Sequence, residues 1–92
     1  MKKKKARYRH IEINKKKYYF YHIVWLDILG DSGHATASEF DNMKPAVMNT
    51  YAYIYKKNKK YLLTFSSYDD ENFSDRNAFP IGVIQDIKKI EI

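Results

Sequence analysis

Four sets of side chains in this chain are of types that can do chemistry, and their spacing sorts them. Gly30-Asp31-Ser32-Gly33 has the outline of the segment around a serine nucleophile. Such a serine needs a histidine base held by a separate carboxylate, on a scaffold of two barrels. Here His10 and His22 lie close upstream, and 92 residues are less than half of what that scaffold takes. Two glycines around two residues that bond their own backbone describe a turn instead. His10, His22 and His34 stand twelve residues apart, a spacing that no helix, strand or zinc loop turns into a ligand set. His22, among aromatics, reads as a buried and hydrogen-bonded core residue. His34 reads as a loop residue within reach of a ligand. Asp69, Asp70, Glu71 and Asp75 lack the glycine and the twelfth-position ligand of an EF-hand loop, and read as a solvated loop. The sequence has no glycine-rich phosphate loop and no dinucleotide fingerprint. The expectation is a protein that is not an enzyme and uses no cofactor.

The fourth set is aromatic and basic. The chain has nine Tyr, five Phe and one Trp. In an extended segment Tyr51, Tyr53 and Tyr55 share one face, and Lys56, Lys57, Lys59 and Lys60 follow them. Aromatic rings interleaved with lysines stack bases and hold phosphates; rings of the same kind also pack into a barrel with only their hydroxyls exposed. The ligand contacts expected from this pattern are Trp25, His34, Tyr51, Tyr53, Lys56, Lys57, Lys59 and Lys60.

Net charge divides the chain. Residues 1–17 carry +8, whereas residues 18–92 carry −2. The basic character therefore belongs to an N-terminal arm, expected to lack fixed structure over residues 1–7, on a single domain spanning 8–92. An arm of this kind steers toward polyanions. Its Lys2, Lys3, Lys4, Lys5, Arg7 and Arg9 are the contacts for an alternative role on nucleic acid.

The elements that must position these residues follow from hydrophobic period. Tyr18 to Leu29 is β-branched and aromatic on both alternating faces, so it reads as a long strand covered on its two sides. Asp27, the one charge in that run, reads as an acceptor for loop amides. Tyr8 to Ile13 alternates as a short edge strand before a turn at Asn14–Lys17. Thr36 and Glu39 stand at capping-box spacing, enough for one or two helical turns before Pro45. Ala46–Lys56 and Tyr61–Ser67 read as a hairpin around Lys57–Lys60. Residues 68–77 read as a polar loop, Ala78–Pro80 as a brief extended piece and Ile81–Val83 as a turn. Ile84, Ile87 and Ile90 read as a last strand thrown out of alternation by a bulge. Five or six strands, one helical turn and a basic arm predict a mainly β fold, a small SH3-like barrel. A chain this short buries little core, and without cysteine no disulfide supplements it, so a homo-oligomer is expected. No apolar run reaches the length of a membrane span, and no signal-peptide pattern follows the first lysines.

A resemblance adds to this reading. Trp25-x-Asp27-x-x-Gly30-Asp31-Ser32-Gly33, Glu39-Phe40, Met43-Lys44-Pro45, Thr50, Ser66-Ser67-Tyr68-Asp69 and Phe79-Pro80-x-Gly82-Val83-Ile84 together resemble a family of small tailed-phage proteins without an assigned activity. The likeness spans about residues 20–90. His34 stands where the family has an aromatic residue, and Ala52 where it has glycine. The resemblance implies a compact β fold, a phage setting in the cytoplasm of an infected bacterial host, and no catalytic residues to transfer. The function expected is stoichiometric binding in counter-defence, of a nucleotide signal of host immunity or of a host protein. The alternatives are a nucleic-acid accessory protein and a virion or assembly component.

Overall fold

The computed structural model describes residues 5–92; the arm's Lys2, Lys3 and Lys4 lie outside the described residues. The strands are β1 (His10–Ile13), β2 (Lys16–Asp27), β3 (Ala46–Lys57), β4 (Tyr61–Phe65), β5 (Ser67–Tyr68), β6 (Phe73–Ser74), β7 (Asn77–Pro80) and β8 (Ile84–Lys89). A short helix α1 (Ala37–Asp41) lies between β2 and β3, and a 3-10 turn (Ile81–Val83) precedes β8.

The first hairpin turns on Asn14 and Lys15, both with positive φ (50° and 66°). Positive φ at both central residues is the type I′ geometry, whose twist matches that of the flanking strands. β2 then runs twelve residues and organises the sheet. One edge pairs with β3, from Phe20 opposite Tyr53 to Asp27 opposite Ala46. The other edge is shared end to end. β1 takes Lys16 to Tyr19, and β8 takes Tyr21 to Trp25. The two meet at Phe20, whose N–H donates to the Arg9 carbonyl and whose carbonyl accepts from Ile90 N–H, both at 2.9 Å. Beyond that junction the chain ends pair with each other: Tyr8 bridges Glu91, and Ile92 N–H donates to the Arg7 carbonyl. Arg7 therefore takes part in backbone pairing that the arm was not expected to make.

The fold is mainly β, as the period predicts, but the expected closed barrel is not formed. The antiparallel sheet is open, with β7 on one edge and β1 and β8 on the other. The stretch expected as a polar loop, residues 68–77, contains a separate hairpin, β5–β6, with Tyr68 opposite Phe73. Asp69 holds its turn by accepting from Glu71 N–H (2.9 Å) and Asn72 N–H (2.7 Å). Those bonds favour the carboxylate and keep Asp69 below the usual range for its type. In the long loop Thr36 caps α1, its hydroxyl accepting from Glu39 N–H (3.2 Å) and donating to Glu39 Oε1 (3.0 Å). The amide-binding role expected of Asp27 falls to Asp31, whose Oδ1 accepts from Gly33 N–H at 2.8 Å; Asp27 itself is exposed.

Two cores lie on opposite faces of this sheet. On the first face Ile13, Tyr18, Tyr53 and Phe65 are buried, with Ile11, Phe20 and Phe73 packed against them. On the second, Ile23, Leu62 and Phe79 are buried beneath Tyr21, Trp25, Ile54 and the Ile81–Ile87 segment. β2 thus changes its buried side midway. Its even-numbered residues enter the first core near Tyr18, and its odd-numbered residues enter the second near Ile23. A short chain cannot cover both faces of a twelve-residue strand along its whole length, so each face is covered over half.

Candidate functional site

The residues expected to make one site are divided among four places. Trp25 lies on the second face, its indole N–H donating to Thr50 Oγ1 at 2.9 Å and its ring 5.1 Å from that of Phe79. Tyr53 is buried on the first face, stacked on Phe65 at 5.4 Å. Tyr51 shares that face but is exposed, its ring lying flat on His22 at 4.5 Å and 6°. His22 is half-buried and not a core residue; its ring N–H at Nε2, in the tautomer this geometry implies, donates to Asn49 Oδ1 at 2.7 Å. His34 is in the long loop beyond Asp27, exposed beside Asp31 and Glu39 in a shallow cavity of about 600 Å³. Lys56 to Lys60 are at the other end of β3, roughly 35 Å away along a strand of this length. No single ligand of nucleotide size spans Trp25, His34 and the lysines.

A different constellation forms where β3 bends. Tyr53 pairs with Phe65 and Ile54 with Thr64, after which the register slips so that Lys56 pairs with Leu63. Tyr55 is the extra residue of this bulge. A bulge re-aims side chains, and this one turns Tyr55 and Lys56 toward the same face. Tyr55 stacks on Tyr18 (5.9 Å, 7°) and meets Phe73 edge-on at 5.2 Å. Lys56 rises beside Leu63, its cross-strand partner. Together with the β5–β6 hairpin, Tyr55 and Leu63 bound an open cleft of about 930 Å³. Its apolar side is Tyr55, Leu63, Phe65 and Phe73, and its polar rim includes Arg76, Asn72, Glu71 and Asp75. Asp75 is held at positive φ (48°) and accepts from the Ser67 hydroxyl. Beneath the stack, burial and then the neighbouring Tyr55 push the Tyr18 phenol above its ordinary range.

An aromatic floor with Arg76 on its rim, beside Glu71 and Asp75, offers a planar ligand a stacking surface and one cation. None of the ligand contacts expected from sequence lines this cleft; Lys56 only adjoins its lining residue Tyr55. Tyr55 belongs to the predicted tyrosine face, but strict alternation did not place Lys56 beside it. Phe73 and Arg76 carried no local signal, because they reach the site through the hairpin. Among the described residues no cluster of three or more His, Asp or Glu side chains is placed to hold a metal ion, and no helix is long and apolar enough to cross a membrane. Arg9, expected to face a polyanion, sits over the Phe20 ring at 4.4 Å. No family model, curated protein or solved structure matches the chain.

Proposed function

We propose that this is a non-enzymatic phage protein that acts by stoichiometric binding, capturing a nucleotide signal of host immunity in the cytoplasm of an infected bacterium. The ligand site in this reading is the cleft at the β3 bulge. The observation that carries it is the register slip at Tyr55, which sets that ring in the wall of an apolar cleft with Lys56 next to it in the chain, while Arg76 also lines the cleft. Tyr55 stacks the base, Lys56 and Arg76 take the phosphate, and Asn72 with Glu71 accept or donate to the base edge. The phage setting rests on the sequence resemblance. The sheet order β8-β2-β3-β4-β7, with a 3-10 turn between β7 and β8 in the chain, supports reading this open sheet as related to an SH3-like barrel.

The test is calorimetric titration of the full chain with a panel of mononucleotides and cyclic dinucleotides. At least one should bind, and Tyr55→Ala or Lys56→Glu should each weaken it tenfold or more with the thermal melt preserved. A panel without any binder, or binding indifferent to both substitutions, defeats the proposal. The nucleic-acid role predicts instead that a short single-stranded oligonucleotide binds and that replacing Lys2, Lys3, Lys4 and Lys5 by serine abolishes it. The engagement of Arg9 with Phe20 weighs against that role.

A further inference from the structure

The first face of the sheet is sealed around Tyr18 but only partly covered beyond it, where His22, Val24 and Leu26 are half-buried and their neighbours on β3 and β8 are exposed. There three strands present His22, Val24 and Leu26 on β2, Val47, Asn49 and Tyr51 on β3, and Asp86 and Lys88 on β8; cross-strand register puts all eight on one side. Val47 is 63% exposed and Tyr51 56%, and the adjoining loop adds Ile28 at 90% and Phe40 at 69%. We propose that a second copy of this chain packs on this patch, giving a twofold dimer whose axis crosses the strands between His22 and Val24. This is independent of the ligand reading, whose cleft lies at the other end of β3.

Area argues for it. A self-contained monomer of 11.0 kDa exposes about 5,600 Å², whereas this chain exposes 7916 Å². The excess, about 2,300 Å², is shared with the exposed 28–42 loop and the N-terminal segment, and is larger than the ~800 Å² each partner contributes to a standard interface. The molecule is also thin, 22 Å in its smallest dimension, with a radius of gyration of 17.8 Å against about 12 Å for a compact chain of this length. A second sheet about 10 Å away, face to face, is the usual way to bury such a surface.

Charge favours a copy over an unrelated partner. A twofold interface must be self-complementary. Asp86 and Lys88 alternate along one edge of the patch, so an axis crossing the strands sets Asp86 of one copy against Lys88 of the partner subunit. The aromatic anchor is already in position: Tyr51 is held flat by His22, which is itself fixed by Asn49. Preorganised aromatics near the centre of a patch carry most of an interface's energy.

Sedimentation and native mass spectrometry of the full chain at micromolar concentration test this. The wild type should have twice the chain mass. Val47→Glu and, separately, Tyr51→Lys, both at residues more than half exposed, should give monomers with unchanged circular dichroism. Asp86→Lys should weaken the dimer tenfold or more, and adding Lys88→Asp should restore it. A monomeric wild type at 100 µM overturns the proposal, as does a dimer that survives both Val47→Glu and Tyr51→Lys. A dimer lost in those variants but indifferent to the charge exchange overturns the assigned axis.

Discussion

The two halves of the first sheet face are built from the same two strands, yet they differ in what lies over them. Around Tyr18 and Phe65 the β5–β6 hairpin folds back, and Phe73 meets Tyr18, Tyr55 and Phe65 edge-on at 4.8–5.6 Å. Val24 and Leu26 are half-buried, and among the described residues neither joins the core that Tyr18 and Phe65 form. The difference shows that alternation of side chains decides which residues share a face, while coverage depends on a distant segment with its own turn. A hairpin of four strand residues converts an aromatic surface into a core with a cleft beside it. Its counterpart at the other end is the 28–45 loop, whose Ile28 and Phe40 stay in solvent.

Breaking the covered half should have the largest effect. Phe65 is 1% exposed, and Phe65→Ala should cost about 3–5 kcal/mol in urea unfolding, equally at 1 and 100 µM protein. Leu26→Ala, on the partly covered half, should cost less, and its cost should change with concentration, because a dimer links stability to mass action; a concentration-independent cost removes the distinction between the halves. Next in size is Phe73→Ala, about 2–3 kcal/mol, which strips the cover without touching the sheet. Dye binding to exposed apolar surface should rise in that variant, making the covered half behave like the other. A gain is expected at Thr64, buried at 2% exposure with its hydroxyl unpaired among the described residues. Thr64→Val removes that group at nearly constant shape and should stabilise by about 1 kcal/mol, or about 4–8 °C in Tm.

The smallest effects come from pH. Folding raises the Tyr18 pKa, so the folded state favours the neutral phenol. That contribution is complete below about pH 10 and disappears as pH rises through the folded value. Asp69 has the opposite sign. Its contribution is present above about pH 4 and disappears as pH falls through its lowered value. Amide exchange at Glu71 and Asn72 should therefore quicken in acid before the sheet opens, and near-ultraviolet dichroism of the covered half should change first in base.

Much of the fold was legible because it is local. The β3–β4 hairpin, the Thr36 cap and the displaced alternation of Ile84 and Ile87 all follow from neighbours in sequence; the last is a register shift between Val24 and Trp25 on the facing strand. The strand expected over Tyr18–Leu29 exists but sits two residues earlier, since pairing with β1 and β3 ends it at Asp27. The site was not legible. Trp25 and Tyr53 looked alike as candidate contacts, yet Trp25 is packed on Phe79 and Tyr53 on Phe65, on opposite faces. One bulge decides where Lys56 goes, and residues 68–77 read as polar because Tyr68 and Phe73 are separated there by charged and amide side chains. Long-range pairing, not composition, governs each of these.

The meeting of the two chain ends beside Phe20 has a mechanical consequence. Because Tyr8 and Glu91 pair antiparallel, a force applied through the termini opens that ribbon like a zipper, one hydrogen bond at a time. Shearing, which would load many bonds at once, is not engaged. Tethered by its ends, the molecule should yield first at Arg7–Ile92 and at low load, while β2 and β3 stay paired.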